Sequence, residues 1–316
     1  MDSFDAFWCL FGAIIIDLYA GSWFRAGQSL WHPKNIVGRW VEKLCEKLDR
    51  QGRSSSVLLV RGALSVLCTI SLAGLAGTVI HLVLMEIPLG WVLELLILTS
   101  LVSVGRLWGM GTLLASSLES GSREEARRQL GELSPRDATY SDSDEITRLG
   151  IEAVITNFIS DFVGPVLFYA LLGLPGVFIY HGLRSFSSCG ASREYLIFGK
   201  HLVGAVDAPL SWLGGILFFC AILLFSATSA RRTLRQGRRL ILLGTGIPYS
   251  LTKSLVAGAL GITLEGPRLY AAGPVERPYL GSGGAPSPRD LVQVVKLALA
   301  AAGLTAALVV TCAVLL

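Results

Sequence analysis

The sequence predicts an all-α, polytopic transmembrane helical bundle with about five membrane segments, and three observations carry that reading. Of its 316 residues 52% are hydrophobic and only 16% charged, a balance that departs from soluble domains in the direction expected when lipid replaces water as solvent. Apolar runs recur along the chain, most of them near the roughly 20 residues that a helix needs to cross a hydrocarbon core of about 30 Å. Basic residues gather in the loops beside those runs, as the positive-inside bias requires. The net charge of +4 therefore reflects topology and gives no argument for a nucleic-acid partner.

Taken in order, residues 7–20 form a shorter first segment with Asp17 near its end. Asp2 and Asp5 precede it where a secretory signal carries positive charge, so it reads as a retained segment with the N-terminus outside. The loop 21–61 holds Arg25, Lys34, Arg39, Lys43, Lys47, Arg50 and Arg53 and is expected in the cytoplasm. Within it Ile36, Val37, Trp40, Val41, Leu44 and Leu48 recur at helical spacing, which predicts an amphipathic helix lying on the membrane. Residues 62–85 and 89–104 read as a helical hairpin broken at Glu86-Ile87-Pro88.

The polar stretch 119–150 contains a second amphipathic helix over 122–133, with Ser122 as its N-cap and Ser134-Pro135 as its stop. Residues 146–163 are apolar but interrupted by Glu152, Asn157, Ser160 and Asp161. They lead into 164–180, which Gly173-Leu174-Pro175-Gly176 divides into two half-length pieces. Two arrangements stay open there: a full span, or a re-entrant helix pair that returns the loop 182–208 to the cytoplasm, the side that Arg184, Arg193 and Lys200 favour.

Residues 210–227 and 292–316 are the remaining strong segments. Between them lie the cluster Arg231, Arg232, Arg235, Arg238 and Arg239, a Gly-rich apolar stretch 240–263 suited to packed helices, and a Gly/Pro-rich loop. The chain reads as one integral membrane domain over 1–316, with polar loops at 21–61, 119–150, 182–208 and 264–290. Its six cysteines show no metal-ligand or paired spacing and read as buried thiols. His81, in an apolar segment near its end, reads as an interfacial residue.

No P-loop, dinucleotide fingerprint or metal-ligand motif is present, so any chemistry must come from scattered polar residues. Several blocks do occur in a telling order: Asp17-Leu18-Tyr19-Ala20-Gly21, His32-Pro33-Lys34-Asn35-Ile36-Val37-Gly38-Arg39, Pro135-Arg136-Asp137 and Asp144-Glu145-Ile146 with Glu152. Asn157, Asp161 and Pro165-Val166-Leu167-Phe168-Tyr169 follow, then Ala257-Gly258-Ala259-Leu260-Gly261, Gly266-Pro267 and Glu276-Arg277-Pro278 with Leu280-Gly281. In this order they resemble the CbiB/CobD family, the membrane adenosylcobinamide-phosphate synthases of cobalamin biosynthesis.

The resemblance implies an ATP-dependent ligase that joins aminopropanol or its phosphate to a carboxyl of adenosylcobyric acid. It would be a multi-pass protein of the cell inner membrane whose main polar loops are cytoplasmic. ATP and magnesium are implied as cofactors, and membrane lipid, a corrinoid and an aminoalcohol phosphate as partners. By the same resemblance Asp161, Asn157, Asp207 and Glu152 are expected to be catalytic, with Asp161 and Asp207 as magnesium ligands. Arg136, Asp137, His32, Glu276 and Arg277 are expected to bind substrate.

The chain also departs from the family's pattern. Thr156-Asn157 stands for Glu-Asn, Arg184-Ser185-Phe186-Ser187 for Asn-Thr-Leu-Asp, Asp207-Ala208 for Asp-Asp, Ser211-Trp212 for Asn-Trp, and Lys253 for a Glu. Fewer carboxylates with Arg184 and Lys253 gained should weaken a magnesium site and draw anions. That keeps a second expectation in view: a diverged, non-catalytic relative that binds an anion or a partner, or a regulator resembling the AmpE type.

Overall fold

The computed structural model describes residues 3–20, 33–50, 54–134, 141–187, 189–225, 233, 249–266, 268–270, 273–275 and 277–315. The helices are α1 (Ser3–Ala20), α2 (Pro33–Leu48), α3 (Ser55–Glu86), α4 (Gly90–Leu101), α5 (Val104–Glu119), α6 (Arg123–Leu133) and α7 (Ser143–Phe158). A π-helical turn (Ile159–Val163) leads to α8 (Gly164–Ser185), then α9 (Arg193–Phe225), α10 (Ser250–Leu260) and α11 (Pro288–Leu315). Among the described residues four short strands precede α11: β1 (Leu264–Glu265), β2 (Arg268–Tyr270), β3 (Gly273–Val275) and β4 (Tyr279–Leu280). β1 pairs antiparallel with β4, and β2 with β3.

Among the described residues five helical stretches are long and apolar enough to cross a membrane: Ser55–Glu86, Gly90–Glu119, Ser143–Ser185, Arg193–Phe225 and Pro288–Leu315. This is a multi-pass membrane protein. The first segment read at 7–20 is also helical, with a shorter apolar stretch, Ala6–Tyr19, inside the 18 residues of α1.

The chain forms two compact units. The first, Met1–Ser103, Asp161–Ala208 and Leu308–Leu316, is organised by α3 and α8. Gly77 lies so close to the turn at Pro175 that a Cβ would sit 2.6 Å from the Pro175 Cα, and Gly182 faces Thr69 and Ala73. These small residues let backbones approach where lipid supplies no hydrophobic drive between helices.

At Gly173, with φ 64° and ψ −155°, α8 folds back on itself. The rings of Phe168 and Tyr180 are 4.9 Å apart, whereas twelve residues of straight helix would separate them by about 18 Å. Gly164 lies against the Tyr180 ring for the same reason. The interruption at Gly173 thus makes α8 a folded-back pair of short helices.

Several expectations need correction. The apolar stripe of α2 is covered in part by protein: Val41 and Cys45 are buried in a core with Val66, Leu183, Phe186, Tyr195, Leu196 and Val203, against which Trp40 and Leu48 also pack, while Ile36 stays exposed. The loop read at 182–208 is mostly helix, because α9 begins at Arg193 and its Tyr195, Leu196 and Val203 enter that core while Arg193, Lys200 and His201 are exposed. The α9 start is tied down by Ser192, whose hydroxyl donates to Asp49 Oδ1 at 2.7 Å.

Ser122 stands at the start of α6 but makes no side-chain cap bond; its hydroxyl accepts instead from Ser120. Cys45 and Cys189, 144 positions apart, are in sulfur–sulfur contact, and Cys68 is exposed. The buried-thiol reading thus holds among the free cysteines for Cys9, whereas Cys220 and Cys312 are half-buried. Arg231, Arg232, Arg235, Arg238 and Arg239 of the arginine cluster and residues 240–248 lie outside the described residues.

The second unit, Val104–Ser160 and Pro209–Ala307, packs α5, α6 and α7 with the later part of α9, α10, the β1–β4 pair and most of α11. Phe158 meets Phe218 edge-on at 5.2 Å, and a Cβ at Gly111 would lie 2.6 Å from a Val295 methyl.

Candidate active site

Three elements of the second unit converge on buried charge. The Asp142 carboxylate caps α7 by accepting the Glu145 N–H at 2.7 Å, which sets the helix so that Glu152, deeper along it, is buried. α10 is made of small and aliphatic residues apart from Lys253, which is 2% exposed. Gly261, at φ 67°, ends α10 in a left-handed cap and sends the chain into β1.

Glu265 of β1 is the hub. It is fully buried and adopts φ 58° although it is not glycine, a strained position that persists only where its surroundings hold it. The Glu265 N–H donates to Glu152 Oε1 at 2.8 Å. Its carboxylate accepts from Lys253 Nζ at 2.6 Å on one oxygen and from Arg277 Nη1 at 3.4 Å on the other. Pairing of β1 with β4, which sets Glu265 opposite Tyr279, keeps Arg277, two residues before β4, within reach. The cluster holds two carboxylates and two cations, so the local charge is balanced where an unpaired ion would cost several kcal/mol.

The same elements bound a polar cavity of about 510 Å³ lined by Asp142, Asp144, Glu145 and Arg148 of the α7 start and by Thr263 and Tyr279 beside β1 and β4. In the first unit, Arg184 Nη1 donates to both oxygens of Asp207, at 3.0 and 2.8 Å. Asp161 sits half-buried in the π turn, and its carbonyl accepts from the Ser103 N–H at 3.2 Å.

The structure therefore brings two of the anticipated residues, Glu152 and Arg277, onto one partner. Asn157 points elsewhere within the same unit: its Nδ2 donates to the Leu133 carbonyl at 2.7 Å and ties α7 to the end of α6. His32, Arg136, Asp137 and Glu276 lie outside the described residues. Glu265 was not anticipated, because it falls in a Gly/Pro-rich stretch read as loop. The one available signal was Lys253, a cation in an otherwise apolar helix that requires a buried acid.

Lys253 and Arg184, which the sequence suggested would draw anions, each face a carboxylate. Among the described residues no three of His, Cys, Asp and Glu form a metal-holding group. Magnesium bound with phosphate asks for less, since it keeps several waters and takes one or two protein carboxylates.

Comparison with known proteins extends the pattern over the whole chain. Residues 10–298 match the family described as CobD/Cbib protein. Cobalamin biosynthesis protein CobD of Sinorhizobium sp. is 26% identical over 279 residues, 86% of each chain. The protein of that name from Photorhabdus laumondii is 27% identical over 281 residues, again 86% of each chain. The one from Klebsiella pneumoniae is 29% identical over 287 residues, 87% of this chain and 86% of the relative. No solved structure matches. With a family match that begins near α1, ends within α11 and contains every anticipated site residue from His32 to Arg277, this chain belongs to the CobD/CbiB family.

Proposed function

We propose that this protein acts in cobalamin biosynthesis at the cell inner membrane, with its main polar loops in the cytoplasm. There it joins aminopropanol or its phosphate to a propionate carboxyl of adenosylcobyric acid. The observation that carries this reading is the extent of the family match, over residues 10–298, together with relatives named for cobalamin biosynthesis that align over most of both chains. In the reaction one carboxyl C–O bond breaks and its oxygen leaves with the phosphoryl group of ATP as inorganic phosphate, one C–N bond forms, and the amine gives up a proton to solvent.

The residues present fit a magnesium–phosphate chain at the cavity by the α7 start. Asp144 and Glu145 would offer the one or two carboxylates that such a magnesium needs, and Arg148, 3.7 Å from Glu145, a cation for phosphate oxygens, while the Asp142 carboxylate serves as the α7 cap. Asp207 fits that role poorly, since both of its oxygens accept from Arg184, and its part in our reading is to hold Arg184. Glu152 stands four residues beyond Arg148 on α7 and, through Glu265, joins the cavity side of the unit to Lys253 and Arg277. Asp161 remains a candidate for the chemistry in the first unit.

The rival reading, a diverged relative without catalysis, leaned on the cations Arg184 and Lys253. Both are neutralised by carboxylates, so these substitutions do not by themselves create an anion trap.

The test is complementation. The chain is expressed in a bacterium lacking its cobinamide-phosphate synthase, and cobalamin-dependent growth is scored on cobyric acid with excess aminopropanol phosphate. Rescue is expected, and its loss in Glu152→Gln and Asp161→Ala. Absence of rescue by protein verified to be membrane-inserted would overturn the enzymatic reading in favour of the diverged relative.

A further inference from the structure

One buried carboxylate takes no part in the amide-forming reading. Glu94 of α4 is 2% exposed, accepts the Tyr169 hydroxyl on Oε1 at 2.8 Å and has Oε2 3.3 Å from His81 Nδ1. These three side chains come from α4, α8 and α3, helices of the first unit in apolar stretches of membrane-crossing length. An ionisable side chain buried in a membrane helix marks a functional position by default.

Glu94 does more than close a knot with Tyr169 and His81, because it also lines a cavity of about 620 Å³ at the turn between α3 and α4. The other walls that matter are Trp8 and Cys9 of α1, Met85 at the end of α3, Leu89 of the turn and Trp91. The chamber is thus apolar with one carboxylate and two indoles, a combination that selects a cation attached to an apolar body.

Its place in the fold narrows the choice. It opens where α3 ends and α4 begins, and Met85, Leu89 and Trp91 beside it are exposed. Tryptophans at the ends of apolar helices sit at the level of lipid headgroups. Among the described residues no lysine or arginine lines it, which disfavours anionic headgroups, and a carboxylate gains most from a cation with N–H groups to donate.

We propose that the first unit holds a binding site for the primary ammonium headgroup of a phospholipid. Glu94 is the counter-charge, Tyr169 and His81 fix its orientation, and Trp8 and Trp91 flank the ammonium.

Native mass spectrometry of the purified full chain, with phosphatidylethanolamine, phosphatidylcholine or phosphatidylglycerol added, tests this independently of cobalamin-dependent growth. Phosphatidylethanolamine adducts are expected to persist several-fold more than the other two. Glu94→Gln should lower their affinity by roughly tenfold, in line with loss of a charge-assisted hydrogen bond. Trp91→Leu leaves Glu94 and its partners in place and should weaken binding by about threefold; it carries the test if Glu94→Gln does not fold. Equal retention of the three lipids, or wild-type retention by the variants, would overturn the proposal. Displacement of the lipid by millimolar free ethanolamine would overturn the lipid assignment in favour of a water-soluble amine.

Discussion

The pairs Lys253–Glu265 and Arg184–Asp207 contain the same kinds of charge in different surroundings. In the first, the side chains are 2% and 0% exposed; in the second, 22% and 16%. Water can solvate what remains if an Arg184–Asp207 partner is removed, whereas the Glu265 side chain is fully buried. Equal chemistry on paper therefore predicts unequal consequences, since the cost of an orphaned ion scales with how little water reaches it.

The largest effect is expected from Lys253→Met, which leaves Glu265 with the longer Arg277 contact and should destabilise the protein by about 3–5 kcal/mol in thermal unfolding of the detergent-solubilised chain. Adding Glu265→Gln should recover much of that loss, because the buried charge goes with its partner. A single variant as stable as the parent would erase the distinction between the two pairs.

Backbone strain separates from charge through Glu265→Asn and Glu265→Val. Both remove the carboxylate, but asparagine tolerates φ 58° and a β-branched residue does not, so valine should cost about 1–3 kcal/mol more in the same unfolding measurement. Equal loss from the two would show that the positive φ is unimportant to Glu265.

Arg184→Met sharpens the comparison from the other side. Asp207 can hydrate once the guanidinium is gone, so a cost of about 1–2 kcal/mol is expected. A loss as large as that of Lys253→Met would mean that exposure does not grade these pairs.

The smallest effect belongs to a third, solvent-facing pair. The Arg128 guanidinium, at 2.9 and 2.6 Å, holds the Glu125 carboxyl below its ordinary value of 4.5, helped by Gln129. A depressed carboxylate contributes stability that is present above pH 4.5 and fades as pH falls through the lowered value. Glu125→Gln should thus produce a slight fall in the unfolding midpoint at pH 7 that disappears in acid. A difference that grew on acidification would contradict the assigned direction.

Much of the fold was legible because its signals are local. The α3–α4 break at Glu86-Ile87-Pro88, the α6 helix and the interruption at Gly173 can each be read from neighbouring residues. The α2 stripe was also recognised, but periodicity says only that one face is apolar. Lipid and a protein core satisfy that face equally, and the partners Leu183, Phe186 and Tyr195 lie more than 130 positions away. The candidate site was legible where a carboxylate interrupts an apolar helix, as at Glu152. It was not legible at Glu265, where a two-residue strand lies in a stretch whose glycines and prolines all signal loop.

By itself the sequence determined the solvent, the helical class and the family, because hydrophobic length, charge placement and ordered motifs belong to the chain before it folds. Only the tertiary structure decided that α8 folds back at Gly173, that Lys253 and Arg184 meet carboxylates, and that Glu152 and Arg277 share Glu265. Those facts depend on which distant residues are brought within about 3 Å of one another, and ionic and hydrogen-bonded contacts at that range leave no period or spacing in the chain.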